Sequence, residues 1–100
     1  MSGFEEKWRS AAPDYFENFA DGRYDERAYL WFIYPKAEIH EFDDGAALVF
    51  GRAGGDGIEF AFRHDHPGIW AYYPIEAEWR AVAPDIGTFE QEWLSGRLTV

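Results

Sequence analysis

Histidines and carboxylates are the side chains in this sequence that could perform metal or acid–base chemistry. His64 and His66 flank Asp65, and on an extended segment the two imidazoles would point to the same side. Zinc needs at least three suitably placed ligands, and His40 supplies the third histidine of the chain. The motif predicts either a metal site or, as the plainer interpretation, a polar turn over residues 64–68.

A pair of acids, Glu76 and Glu78, is separated by one residue, so on a strand the two carboxylates would share a face. A general acid and base would need a cleft between them, and a chain of 100 residues with so aromatic a core has little room for one. The chain has no cysteine, which excludes disulfides and thiolate catalysis. We therefore expect a protein without enzymatic activity, cofactor or bound metal.

Residues 48–60, LVFGRAGGDGIEF, place four glycines and one acid between two apolar runs. A phosphate-binding glycine loop leads from a strand into a helix, whereas the residues after these glycines, IEFAF, alternate like a strand. Asp56-Gly57 is a favoured hairpin turn pair, and Gly54-Gly55 could supply positive φ angles or a bulge. The segment predicts a β-hairpin.

The charge balance restricts the class of partner. Nineteen acids against nine lysines and arginines give a formal net charge of −10. Such a surface repels nucleic-acid phosphates and attracts a basic protein. Trp79, in the polar segment EAEWR, is the tryptophan that we expect to be exposed. Asp43 and Asp44, which are adjacent in the turn over residues 41–44, form the densest acidic turn. The candidate partner-binding residues are therefore Asp43, Asp44, Glu76, Glu78 and Trp79, with a solvated surface as the alternative for the acids.

Helices are predicted at both ends of the chain. Apolar residues recur near helical spacing from 4 to 19, and Pro13 divides them into helices over residues 4–11 and 13–20, the second ended by Asp21-Gly22. Near the other end, Thr88 and Gln91 form a capping box that opens a final helix, which ends at Gly96.

Strands are predicted between the helices. Residues 28–34, AYLWFIY, indicate a buried strand. Residues 36–42 fit either a helical turn followed by an extended segment, which we favour, or a strand over 38–42. Further strands are expected over 46–50, 58–63, 69–73 and 76–82, the last at a sheet edge. This order predicts one α+β domain over residues 1–100, with helices on one face of a mostly antiparallel sheet.

The sequence shows neither a signal peptide nor a membrane span. The N-terminal MSGFEEKWRS lacks the apolar stretch of a signal peptide, and the longest apolar run, over residues 28–34, is only seven residues long. We therefore expect a cytoplasmic protein that does not associate with membranes.

Four segments carry a family resemblance: APDYFENFADG (12–22), WFIYPKAEIHEF (31–42), LVFGRAGGDGIEFAF (48–62) and APDIGTFEQEWLSGRL (83–98). In this order they resemble the SUKH superfamily of bacterial toxin-immunity proteins and a fungal cell-wall assembly regulator. The first segment departs from the family pattern, with Ala12 where leucine is favoured and Asp21 where asparagine precedes the glycine.

The resemblance implies a non-enzymatic binding scaffold with no catalytic residues. It implies an immunity protein that blocks a toxin by steric occlusion, and the charge of the chain suggests that this toxin is basic. The alternatives are a housekeeping scaffold or regulatory subunit of the same fold and a small metal-dependent enzyme that uses His64 and His66.

Overall fold

The computed structural model describes residues 3–54 and 57–98, with side chains from Glu6 onward. Within these residues the chain forms three α-helices, seven strands and one 3-10 turn. In chain order they are α1 (Gly3–Ala11), α2 (Pro13–Asn18), β1 (Arg23–Asp25), β2 (Leu30–Ile33), the 3-10 turn (Lys36–Glu38), β3 (His40–Phe42), β4 (Ala47–Arg52), β5 (Glu59–Arg63), β6 (His66–Tyr73), β7 (Glu78–Ala83) and α3 (Ile86–Leu94).

The larger sheet is an antiparallel meander in which β3, β4, β5, β6 and β7 lie side by side in chain order. The strands β1 and β2 form a separate antiparallel ribbon. The predicted α+β fold with helices at both ends of the chain is confirmed. No helix in the described ranges is long and apolar enough to cross a bilayer.

The glycine segment joins β4 to β5, as the hairpin prediction requires. The Ala53 N–H donates to the Ile58 carbonyl at 3.0 Å, and Gly54 and Gly57 have φ angles of +116° and +74°. Glycine adopts such angles without steric cost. Gly55 and Asp56, the other predicted turn residues, lie outside the described residues.

The two faces of the large sheet differ in what covers them. On one face, apolar residues of β4, β5 and β6 pack against all three helices and the ribbon, and the fully buried members include Trp8, Tyr15, Phe50, Phe60 and Phe89. On the other face, the small buried residues Ala47, Val49 and Ala61 form a second cluster, which only partly buried aromatic side chains cover. The first face is the core, and we call the second one the open face.

The ribbon touches the large sheet at the second half of β4. The short β3 pairs only with Ala47–Val49, and beyond that point the Tyr34 N–H donates to the Phe50 carbonyl. Phe50 lies at an irregularity in the β4–β5 register. A Cβ on the next residue, Gly51, would lie 2.0 Å from the Phe32 carbonyl oxygen, so only glycine fits where β2 and β4 meet.

Several strand predictions need correction. The strand β1 was not predicted, because three residues are too short for a periodic signal. The apolar run 28–34 contributes only Leu30–Ile33 to a strand. The turn predicted over 64–68 is narrower, since β6 begins at His66 and the turn residues are His64 and Asp65. The favoured interpretation of 36–42, a helical turn followed by an extended segment, is confirmed, and the extended segment forms β3.

The helix boundaries also differ in detail from the prediction. The second helix ends at Asn18 and not near residue 20. The final helix begins two residues before Thr88, and its N-cap is Asp85, whose carboxylate accepts a hydrogen bond from the Thr88 N–H at 2.7 Å. The predicted capping box is therefore wrong, because Asp85 caps the helix and Thr88 lies inside its first turn.

Candidate protein-binding surface

A line of partly exposed aromatic side chains crosses the ribbon and the open face. We call it the aromatic band, and its members are Tyr24, Trp31, Tyr34, Phe42, Tyr72 and Trp79. None of the six is buried, and Tyr24 and Trp31 are 45% and 40% exposed. Aromatic rings in this intermediate state supply large contact area at little entropic cost, which is why they are enriched at protein interfaces.

Ring contacts connect the band on the large sheet. The centroids of Phe42 and Tyr72 lie 5.0 Å apart and those of Tyr72 and Trp79 4.9 Å apart. These rings can gather on one face because strand side chains alternate, and the small Ala47 and Ala61 leave space beneath them. The result is an apolar platform with a packed base.

A cation lies inside this platform. The Arg63 guanidinium is 4.7 Å from the ring centroid of Trp70 and 4.8 Å from that of Trp79. Contact with two aromatic faces restrains the arginine and the tryptophans together. The platform therefore presents preformed rings to a partner, which reduces the entropy lost on binding.

On the ribbon side, the band borders an open cleft of about 480 Å³ that is lined by Trp31, Tyr34, Pro35, Glu38, His40 and Arg52. Tyr24 contacts Trp31 edge-to-face at 5.4 Å, and the Tyr34 ring stacks on His40 at 6.5 Å. The cleft thus joins the exposed rings of the ribbon to the open face of the sheet.

The backbone of Tyr34 is held from two sides. Its N–H donates to Phe50, and its carbonyl accepts a hydrogen bond from the Tyr15 hydroxyl at 2.7 Å. Burial is the main cause that raises the pKa of the Tyr34 phenol, and the nearby Glu59 and Glu38 carboxylates add to it while Arg52 opposes it. The Tyr34 hydroxyl is therefore neutral and can donate a hydrogen bond at neutral pH.

Helix α3 positions the ribbon through Asp25. One carboxylate oxygen accepts from the Arg27 and Ala28 N–H groups at 2.9 and 3.3 Å, and the other accepts from the Trp93 indole at 2.8 Å. The Trp93 hydrogen bond is the largest of the causes that hold the pKa of Asp25 below its ordinary value. Because Asp25 fixes the turn between β1 and β2, it also fixes the rings that the ribbon carries.

Helix α1 holds the turn between β3 and β4 in a similar way. The Glu41 carboxylate accepts from the Trp8 indole at 2.9 Å and from Lys7 at 3.2 Å. Lys7 also donates to the Gly45 carbonyl at 2.7 Å. Hydrogen bonding by Trp8 is the main cause that lowers the pKa of Glu41.

The predicted partner-binding residues lie at both ends of the large sheet. Asp43 and Asp44 are exposed in the β3–β4 turn. Glu76 lies in the opposite β6–β7 turn and not on a strand, so the prediction that it shares a strand face with Glu78 is wrong. Glu78 forms an ion pair with Arg80 at 2.6 Å. The structure separates the four acids into two groups and does not unite them in one site.

Trp79 is half-buried in the platform, and Trp31 is the more exposed tryptophan. The prediction that Trp79 would be the exposed one is wrong, because Phe42, Tyr72 and Arg63 pack around it. The prediction of a buried strand over residues 28–34 implies that Trp31 belongs to the core, and this is also wrong. The alternation of β2, in which Leu30 and Phe32 point to the core, is the signal that could have identified it.

The histidine motif forms a tight turn between β5 and β6. The His64 Nδ1 lies 3.2 Å from an Asp65 carboxylate oxygen, and the His66 Nδ1 lies 3.0 Å from the His64 carbonyl oxygen. His40 lies on β3 beside Tyr34. No group of three or more potential metal ligands occurs among the described residues.

Comparison with known proteins gave no match: no family model, no curated protein and no solved structure is significantly similar to the chain. The functional assignment therefore depends on the surface itself and on the sequence pattern.

Proposed function

We propose that this chain is a non-enzymatic protein-binding module whose aromatic band contacts a basic protein. The observation that carries the proposal is the band itself, six partly exposed rings that extend from the ribbon across the open face. Interface hot spots are enriched in tryptophan, tyrosine and arginine, and the band combines tryptophan and tyrosine with the Arg63 guanidinium.

The charge distribution supports a basic partner. The net charge of −10 would accelerate the encounter with a positively charged protein. The exposed acids at the two ends of the sheet, Asp43 with Asp44 and Glu76 with Glu78, flank the band as a polar rim. An aromatic centre with a charged rim is the usual arrangement of a protein interface.

The finer proposal is that the partner is a toxin and that the chain is a cytoplasmic immunity protein which neutralises it by steric occlusion. The four segments that resemble the SUKH superfamily support this assignment. A housekeeping scaffold or regulatory subunit is the second candidate, since it would use the same surface.

The test is capture of partners by the full chain from the organism that encodes it, at low and moderate salt, with variants as controls. Trp31→Ala and Trp79→Ala should each weaken capture of a basic polypeptide at least about tenfold if these rings are hot spots. Leu94→Ala is the matched control, because Leu94 is a 48% exposed apolar residue on α3 that is not a member of the band.

Co-expression separates the two candidates. If the captured protein is a toxin, the chain should restore growth of cells that produce it, and Trp31→Ala should reduce that protection. A stable partner that is harmless alone would instead identify the scaffold. Equal capture by the band variants and by Leu94→Ala would refute the proposed surface.

A further inference from the structure

The cleft beside the band combines two features that together favour a cation. Trp31 and Tyr34 supply aromatic walls, and Glu38 supplies a carboxylate at the same opening. Aromatic faces attract ammonium and guanidinium groups through the ring quadrupole, and an adjacent carboxylate adds direct charge attraction.

The Glu38 carboxylate is available for such a ligand. Its residue is exposed at the end of the 3-10 turn. Across residues 3–54 and 57–98, no side-chain hydrogen bond or ion pair is made by Glu38; its backbone N–H donates to the Pro35 carbonyl at 2.8 Å, and its carbonyl oxygen lies 3.3 Å from the His40 Nδ1. Binding a cation there would require no existing ion pair to break.

The cleft also contains one cation, Arg52, whose charge must be considered. In the β4–β5 register Arg52 lies opposite Glu59, a cross-strand position at which opposite charges attract each other. Glu59 and Glu38 both raise the pKa of the Tyr34 phenol, and Arg52 lowers it. All three charged side chains therefore lie near the Tyr34 ring. Glu38 is the carboxylate that lines the cleft, and among the described residues no ion pair joins it to Arg52.

We propose that this cleft binds an arginine side chain of the basic partner, with the guanidinium stacked on Trp31 or Tyr34 and paired with Glu38. A planar guanidinium can stack on a ring and form a forked pair with a carboxylate, which a lysine ammonium cannot do. The cleft volume of about 480 Å³ lies within the range of small-ligand sites. The inference rests on the proposed function only in taking the partner to be a basic protein.

The test uses N-acetyl-arginine amide as the probe, titrated into the full chain and followed by NMR at the Trp31 indole N–H. N-acetyl-citrulline amide is the matched control, because it has nearly the same shape without the charge. We expect a saturable shift at Trp31 with the arginine compound, at millimolar affinity, and at least about fivefold weaker binding of the citrulline compound.

Three charge variants give the sharpest version of this test. Glu38→Gln should weaken arginine binding about fivefold, and Arg52→Gln should strengthen it, since one removes the attracting charge and the other a repelling one. Glu17→Gln changes the net charge equally at an exposed position on α2 and should have no effect. Trp31→Leu should weaken binding while retaining an apolar wall.

Several results would overturn the inference. They are equal binding of the arginine and citrulline compounds, absence of a saturable shift, or a reversed order of the Glu38→Gln and Arg52→Gln variants, which would indicate an anion site. Because the probe needs no partner, its outcome is independent of the capture experiment. A basic protein that binds through the band with Glu38→Gln unaffected would refute the cleft and leave the proposed function standing.

Discussion

Replacement of Gly51 by alanine would test how the fold positions the candidate surface. A Cβ at this position would lie 2.0 Å from the Phe32 carbonyl oxygen and 2.8 Å from the Phe32 carbonyl carbon. Both atoms belong to the backbone, so no rotation of a side chain can relieve the clash. Strands β2 and β4 would have to separate.

The magnitude follows from this geometry. Ordinary contact begins near 3.4 Å, so the strands must move apart by more than an ångström. Such a shift breaks the hydrogen bond between the Tyr34 N–H and the Phe50 carbonyl, which contributes about 1 kcal/mol. Overpacking of a well-packed site costs about 1–3 kcal/mol more. We expect Gly51→Ala to lower the free energy of unfolding by about 3 kcal/mol.

The assay is urea unfolding followed by circular dichroism, with thermal unfolding as a second readout. A loss of this size in a domain of 100 residues corresponds to a decrease in Tm of roughly 15 °C. Because the same displacement moves Trp31 and Tyr34, any protein that remains folded should also bind the arginine probe more weakly.

Gly87→Ala is the matched control. Gly87 lies in the first turn of α3, where a Cβ would meet only the Asp85 carboxylate at an ordinary 3.5 Å. Alanine favours the helix over glycine by up to about 1 kcal/mol, so this variant should be as stable as the parent or more so. If the free energy of unfolding of Gly51→Ala is within about 1 kcal/mol of that of the parent, the close approach of β2 and β4 does not require glycine at this position.

Three further predictions concern the interactions that hold the elements in place. Asp85→Ala should lower the free energy of unfolding by about 1 kcal/mol through loss of the N-cap, whereas Thr88→Ala should change it far less. If urea unfolding instead shows the larger loss for Thr88→Ala, Thr88 and not Asp85 is the N-cap. The folded pKa of Asp25 is depressed, so its contribution to stability is complete above the unfolded pKa and is lost as the pH falls from about 4 through the folded pKa. Asp25→Asn should therefore be less stable than the parent at pH 6, with a difference that narrows at pH 3; a constant difference in Tm would contradict this. Trp8→Phe keeps an aromatic ring at this buried position but removes the indole donor. The pKa of Glu41, followed by NMR, should therefore rise towards its ordinary value, and an unchanged pKa would contradict the assignment of Trp8 as the main cause.

Much of the fold was predictable because its signals are local. Pro13 divides the N-terminal helices because proline fits the first turn of a helix and not its interior. The glycines after β4 predict a hairpin because positive φ angles are a property of the residue itself. Asp85 was also identifiable in principle, since aspartate before a helix is a preferred N-cap, but Thr88 and Gln91 gave a competing signal nearby.

The candidate surface was not predictable in the same way. The hydrogen bond from the Trp93 indole to the Asp25 carboxylate joins residues that are 68 positions apart in the sequence. No local sequence pattern predicts a contact between residues so far apart. Asp43 was located correctly in a turn and Glu76 was predicted on a strand, and the register of the meander places the two acids at opposite ends of the sheet. Their separation is a property of strand pairing and not of composition.

The sequence by itself determined an acidic α+β chain with a hairpin, helices at both ends and enough aromatic residues to build a core, because propensity, alternation and charge are carried by individual residues. The tertiary structure alone decided which rings remain at the surface. The interior of a small domain cannot bury all twenty aromatic side chains. Whether a given ring is buried depends on the residues that pack against it from neighbouring elements. Trp31 is exposed and Trp8 is buried because β2 turns one face outward and α1 closes over the core.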